Sequence, residues 1–236
     1  MNSSDPLPLR CLALTGAFET GKLPPACFAS VTGDFDGQGL SFSALQWNLG
    51  QGTLQPLLSQ MYSQHPIVMA GCFFEAHSAD LQYLLGQPKS VQLAWARSIQ
   101  GSNHVLTADW TKSFNALGLT PEWQEVAQAS AAGYFDRARF QAGQLEVRSD
   151  RAIALLFDIV VQNGELRPLP LAHCLDEFDS TPSWGEDAKM RCIANAVADS
   201  SNPKWRSDVL ARKLTIANGA GMVHRLQFDL AKDFGL

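Results

Sequence analysis

The chain reads as mainly α, of α+β type, with two helical lobes and one small β element. Three observations predict this. Apolar residues recur at helical spacing along most of the sequence. Only the glycine-rich stretch between Val31 and Trp47 alternates small and apolar residues in the manner of a hairpin. The run Arg148 to Gln162 carries Ile153, Leu155, Leu156, Phe157, Ile159, Val160 and Val161, apolar nearly all round, as a central buried helix should be. The whole of 1–236 is expected to form one catalytic-size domain, its lobes arranged around a helix near 148–163 with a cleft between them.

Taken in order, Leu9, Leu12, Ala13, Leu14, Ala17 and Phe18 predict a buried helix over 8–19 that ends at Glu19-Thr20-Gly21, and Pro24-Pro25 forbids its continuation. A turn and short hairpin follow between Val31 and Trp47. Helices are predicted from Leu54 to Tyr62 and around 78–86, 90–100, 107–117 and 121–132. Asn103 or Thr107 is the expected cap of the 107–117 helix, and Thr120-Pro121 opens the next. Asn163-Gly164 ends the central helix, and the Pro-rich passage Leu166 to Pro170 leads into helices at 171–178, 185–199 and 205–218.

Bulk properties exclude several classes. With 46% hydrophobic and 17% charged residues the chain is globular rather than disordered. A net charge of −5 gives no basic footprint for nucleic acid. No apolar run approaches the ~20 residues that span a bilayer. The opening Met1-Asn2-Ser3-Ser4-Asp5-Pro6 lacks the basic and apolar regions of a signal peptide, so non-classical delivery is expected. Cys11, Cys27, Cys72, Cys174 and Cys192 are scattered and odd in number, which favours free buried thiols, although a Cys11–Cys27 disulfide stays open for a protein working outside the cytoplasm. The five histidines have no metal-ligand spacing, so no metal and no cofactor are expected.

The chemistry concentrates in Glu19 and in Gly33-Asp34-Phe35-Asp36-Gly37-Gln38-Gly39-Leu40-Ser41. One carboxyl ends an apolar helix, and another follows 17 residues later in a glycine-rich turn with a hydroxyl beyond it. A pair of this kind suits glycoside hydrolysis, in which one acid protonates the leaving oxygen and a second carboxylate activates water. Partial burial of Glu19 against Phe18 and its neighbours would raise its pKa toward that of a general acid. Position alone reads more plainly: Glu19 as a solvated helix-end residue, Asp36-Gly37 as an ordinary turn. An EF-hand fails because Leu45 stands where the twelfth-position glutamate belongs, and Gly50-Gln51-Gly52-Thr53 lacks the lysine of a phosphate loop.

The Asp36-Gly37-Gln38-Gly39-Leu40-Ser41 stretch, 17 residues after Glu19, resembles the active-site segment of family 46 chitosanases within the lysozyme-like superfamily. Phe28 stands eight before Asp36, where that family has tyrosine. Gly133-Tyr134-Phe135-Asp136 and Leu155 through Gly164 are similar to the family's core helix with its buried aspartate. Trp205-Arg206-Ser207-Asp208 through Gly219 resembles its C-terminal helix. The resemblance implies a lysozyme-like two-lobed fold with the hairpin at the cleft. It implies Glu19 as general acid, Asp36 as general base and Ser41 as a holder of the attacking water, with Asp158 and Arg206 as a buried ion pair behind the acid.

The departures matter too. Thr20, Phe28, Gln38 and Gln46 replace the residues usual in the chitosanases, and Ser41 to Gln46 is closer to the Gly-Phe-Gly-Leu-Met-Gln hairpin of goose-type lysozymes and lytic transglycosylases. From Leu23 to Pro88 there is no Lys or Arg, and the only acids are Asp34, Asp36, Glu75 and Asp80. A polycationic glycan needs a carboxylate-lined groove. Asp34, Gln38, Gln46, Trp47 and Asn48, as expected substrate-binding residues, suit an acetylated glycan better, although Trp47 is as readily a core residue. Trp95, Trp110, Trp123, Trp184 and Trp205 read as packing. The expectation is a muramidase-type peptidoglycan hydrolase. It would be bacteriolytic and reach its target through a phage lysis system or a contact-dependent (type VI) secretion apparatus. An immunity protein would be its partner in the second case. A chitosanase and an inactive glycan-binding module are the alternatives.

Overall fold

Arg10 through Phe18 are all buried, so the first helix has no solvent face and its side chains meet protein on every side. Pro8 sits in its first turn, where the missing N–H costs nothing, and Gly21 at φ 66° ends it by donating to the Ala17 carbonyl. This is α1 (Leu7–Thr20), in a computed structural model that describes residues 1–236. It is followed by β1 (Val31–Thr32), β2 (Ser41–Phe42), β3 (Trp47–Asn48), α2 (Leu54–Gln64), α3 (Pro66–Cys72), α4 (Glu75–Leu85), α5 (Lys89–Ser98), α6 (Ala108–Gly118) and α7 (Pro121–Ser130). Then come α8 (Ala132–Gln144), α9 (Asp150–Asn163), α10 (Pro168–Ser180), α11 (Glu186–Asp199), α12 (Arg206–Asn218), β4 (Ala220–Val223), β5 (Leu226–Asp229) and α13 (Leu230–Phe234). The chain is mainly helical with small antiparallel sheets, and it divides into two compact units, Met1–Gly21 with Ala131–Leu236, and Lys22–Ser130.

In the first unit α9 is central, and α1, α8, α11 and α12 pack around it. Ser149 caps α9 by accepting from the Ala152 amide, and Gly164 ends it. Burial of Leu155, Leu156, Phe157, Asp158, Ile159 and Val160 makes it the core helix the sequence predicts. Arg10 ties both ends of the chain to it: Nη2 pairs with Asp150 at 2.7 Å and Nη1 donates to the Gly235 carbonyl at 2.7 Å.

In the second unit α2 packs against α3, α4 and α7, and α6 against α3, α7 and β1. Phe42, Phe73, Trp110, Phe114 and Trp123 form an aromatic cluster with centroid spacings of 4.7–6.1 Å. His77 stacks on Trp110 at 4.1 Å. Gly118 is obligatory because a Cβ there would collide with the Phe28 and Ala29 backbone.

The structure differs from the expectation in several places, the short terminal α13 among them. The predicted hairpin is a three-stranded antiparallel sheet, β1-β2-β3, with strands of two residues each. A second hairpin, β4-β5, follows α12, so the β content is not confined to one site. Helices α3 and α8 were not foreseen as separate elements. Trp205 is 55% exposed and does not pack in the core, whereas Trp110 and Trp123 are buried.

Candidate active site

Glu19 lies in the last turn of α1, one residue beyond the fully buried Phe18. Its side chain is 33% exposed, partly buried as the sequence suggests. What holds it is Arg212 of α12, whose Nη1 donates to Glu19 Oε1 at 2.7 Å. Arg212 is itself fixed. Its Nε donates to Asp158 Oδ1 and Oδ2 at 3.1 and 2.9 Å, its Nη2 donates to Oδ1 at 2.7 Å, and its guanidinium lies 5.1 Å from the Phe18 ring centre. A planar fork gripping a carboxylate in this way leaves little freedom to the remaining Nη1, which therefore presents Glu19 in one orientation.

Asp158 on α9 is wholly buried and collects three partners. Besides Arg212 it accepts from Lys213 Nζ at 2.6 Å and Thr15 Oγ1 at 2.9 Å. Lys213 also donates to Gln162 Oε1 at 2.7 Å. The four ionisable groups Glu19, Asp158, Arg212 and Lys213 sum to zero charge, the condition under which such a buried set is tolerated. Burial by itself would raise the Asp158 carboxyl, but the charges of Arg212 and Lys213 outweigh it and hold it below the usual carboxylate range. Arg212 shows the mirror image: burial would lower it, and Asp158 with Glu19 holds it above its ordinary value. For Lys213, burial wins over Asp158, and with the Arg212 charge adding to it the amine falls to about 8.

The second unit carries the other expected residues. Asp36 is exposed on the tip of the loop joining β1 and β2, and its Oδ1 accepts from the Gln38 amide at 3.1 Å. Gly37 and Gly39 take φ of 84° and 80°, which shapes the tip. Asp34 anchors the loop base: Oδ1 accepts from the Gly39 amide at 2.7 Å, Oδ2 from Arg97 Nε at 2.5 Å, and its own amide donates to Gln100 Oε1 at 2.8 Å. Burial pushes the Asp34 carboxyl up, but the Gly39 amide and Arg97 together bring it below the ordinary range. The Gly50 amide donates to the Gln38 carbonyl at 2.8 Å, joining the tip to the segment after β3.

Several expected substrate-binding side chains are struts of the sheet. Gln46, at φ 52°, donates to the Ser43 carbonyl at 2.7 Å and accepts from Thr32 Oγ1 at 3.1 Å. Asn48 Oδ1 accepts from the Gln51 amide at 2.8 Å, and Trp47 is 6% exposed. Asp34 is committed at both oxygens. These four hold the hairpin in shape, because two-residue strands have too few ladder bonds to do so alone. Ser41 is buried within β2, and Gln38 is half-buried beside Gly50.

The expected Asp158–Arg206 pair is corrected. Arg206 is the first residue of α12 and binds Asp199 through Nε and Nη2 at 2.8 and 2.6 Å, in solvent. It stands about 9 Å up the helix axis from the residue that fills the role, Arg212. The missed residues are Arg212, Lys213 and Thr15. One sign was available: Val209, Arg212 and Ile216 fall at i, i+3 and i+7, which sets Arg212 on the buried face of α12.

No family model and no curated protein matches the chain. A solved structure described as "Chitosanase complex structure" is similar over 94% of this chain and 95% of that one, with a TM-score of 0.53 at 15% identity. The chain therefore shares the α-rich fold of that structure along nearly its whole length.

Proposed function

We propose that the chain is a glycoside hydrolase that cuts β-1,4 bonds of bacterial peptidoglycan, with Glu19 as the general acid. The observation that carries the reading is the chain of contacts Asp158–Arg212–Glu19: a buried carboxylate orders an arginine that aims an accessible carboxyl. Here Arg212 engages Oε1, and the exposed part of the carboxyl is available to a glycosidic oxygen. Asp36 supplies the base, activating a water that Ser41 helps to hold. The reaction then inverts the anomeric centre.

Peptidoglycan is preferred to chitosan on charge. Of the four acids between Leu23 and Pro88, Asp34 is already neutralised by Arg97, which leaves little to attract a polyamine. The chitosanase activity of the similar structure favours the second reading, a chitosan-cleaving endo-enzyme. Delivery by a phage lysis or contact-dependent secretion system, with an immunity protein capping the acid in the latter case, accompanies the first reading.

Incubation with purified sacculi and, in parallel, with chitosan, followed by mass analysis of the fragments, tests both. Wild type should release muropeptide-bearing sugars from sacculi, and Glu19→Gln should be slower by about 10²–10⁴-fold. Binding of sacculi without release by either protein would mean an inactive glycan-binding module.

A further inference from the structure

Cys174 and Cys192 face each other from α10 and α11 with their sulfurs 4.0 Å apart, the only thiols of the five that meet. Cys11 and Cys27 are fully buried, and Cys72 lies elsewhere on α3. We propose that Cys174 and Cys192 form a modification site: a dithiol that an external disulfide oxidant converts into a staple between α10 and α11.

The two positions have the access such a step requires. Cys192 is partly exposed and Cys174 is buried directly behind it. The Cys192 thiolate attacks one sulfur of the oxidant's disulfide, forming a mixed disulfide and releasing one thiol. The Cys174 thiolate then attacks Cys192 Sγ, the protein disulfide forms, and the second oxidant thiol leaves. Two protein thiols lose two protons and two electrons, and one external disulfide is reduced to two thiols. Burial raises the Cys174 thiol well above its ordinary range, with Cys192 adding to it. Burial likewise raises Cys192, and Glu177 on α10 adds to both. Both thiols are therefore poorly ionised near neutral pH, and the exchange speeds up as pH rises.

What a staple would secure is visible in the packing. Helix α10 packs chiefly on α11, and its outer face leaves Leu169 84% exposed and Leu175 38% exposed. Its contacts to α11 include Cys174 against Cys192 and Phe178 beneath Lys189 at 4.9 Å, while Trp184 of the connecting segment lies 6.3 Å from Phe178. Helix α11 in turn packs on α12, which carries Arg212. A covalent link across 18 residues of sequence would restrict the unfolded chain and keep α10 seated.

The native full-length protein is incubated with excess oxidised glutathione at mildly alkaline pH until its mass stops changing, and intact mass, a non-reducing peptide map and thermal melting are recorded. The expected result is a loss of two hydrogens, a single cross-linked peptide joining positions 174 and 192, and a melting temperature higher by roughly 5–10 °C that dithiothreitol reverses. Cys192→Ser and, separately, Cys174→Ala should abolish all three, each variant melting at one temperature with or without the oxidant. A glutathione adduct that persists on Cys192 while Cys174 remains alkylatable after unfolding overturns the proposal. So does cross-linking at any other pair, or a link that leaves the melting temperature unmoved.

Discussion

Arg212 reaches Glu19 with one nitrogen and Asp158 with the other two, so a single side chain joins an exposed carboxyl at the end of α1 to a wholly buried one in the middle of α9. This makes the guanidinium geometry, and not merely its charge, the quantity that positions Glu19. Arg212→Lys preserves the charge and removes the fork. It is expected to lower kcat by about 10²-fold through misplacement of Glu19 while KM changes little. Steady-state kinetics on soluble glycan fragments check the split; a change in KM alone would assign Arg212 to substrate binding.

Asp158 stands opposite two buried cations, and its removal leaves them facing only Glu19. Asp158→Asn should cost roughly 3–5 kcal/mol of stability, as for other broken buried pairs. The acid limb carries a second signature. The folded carboxyl lies below its unfolded value of 3.8, so its stabilisation is fully present above that value. It is lost as pH falls through the folded one. Urea titrations between about pH 5 and pH 2 should show a steeper loss for wild type than for Asp158→Asn.

Lys213 gives the opposite limb. Its amine titrates at about 8 in the folded chain against 10.5 when unfolded, so between those values the unfolded state binds more protons. Stability attributable to this group therefore rises as pH climbs from 8 to 10.5. Buried thiols such as Cys11, raised by burial, act in the reverse sense over the same alkaline range. The group's share is thus read as a difference. Wild type minus Lys213→Met should become more positive across that range, and a flat difference would remove Lys213 from the titrating set.

Much of this arrangement was legible from the sequence, and the failures have physical causes. The all-apolar run around Leu155 to Val161 identified α9, and the Gly33 to Ser41 stretch identified the loop that carries Asp36. The β4-β5 hairpin was missed because its turn is His224-Arg225, both at positive φ (50° and 68°), where asparagine and glycine would have signalled it. Helix α8 was missed because Gly133 and Gly143 near its ends and only three buried positions blur its stripe. Arg206 was chosen over Arg212 since both lie on one helix and only burial separates them. The bracing of the hairpin by Gln46 and Asn48 was not foreseen, because a polar side chain that braces a hairpin has the same composition as one that reads a sugar.

The hairpin's dependence on distant packing is testable at Trp123. Its Nε1 donates to Ser43 Oγ at 2.8 Å, both groups are fully buried, and Ser43 is held at φ 70°. Trp123→Phe keeps much of the ring contact with Phe42, at 4.7 Å, but strands the Ser43 hydroxyl. A loss of about 1–3 kcal/mol is expected in denaturant melts. Trp123→Phe combined with Ser43→Gly should recover part of it, because glycine removes both the orphan hydroxyl and the left-handed strain.

Asp34 and Arg97 separate loop order from ion pairing. Arg97 is 57% exposed, so its salt bridge is a weak contributor, and Arg97→Ala should change stability by about 0–1 kcal/mol and activity little. Asp34→Ala removes more, since it also deprives the Gly39 amide of its acceptor at 2.7 Å inside the loop. With the loop base released, Asp36 would sample many positions, and turnover should fall about tenfold or more. Amide hydrogen exchange over 33–40 is the independent readout. It should quicken in Asp34→Ala and remain near wild type in Arg97→Ala. Equal protection in both, alongside a lost activity, would instead make Asp34 a substrate-contacting group.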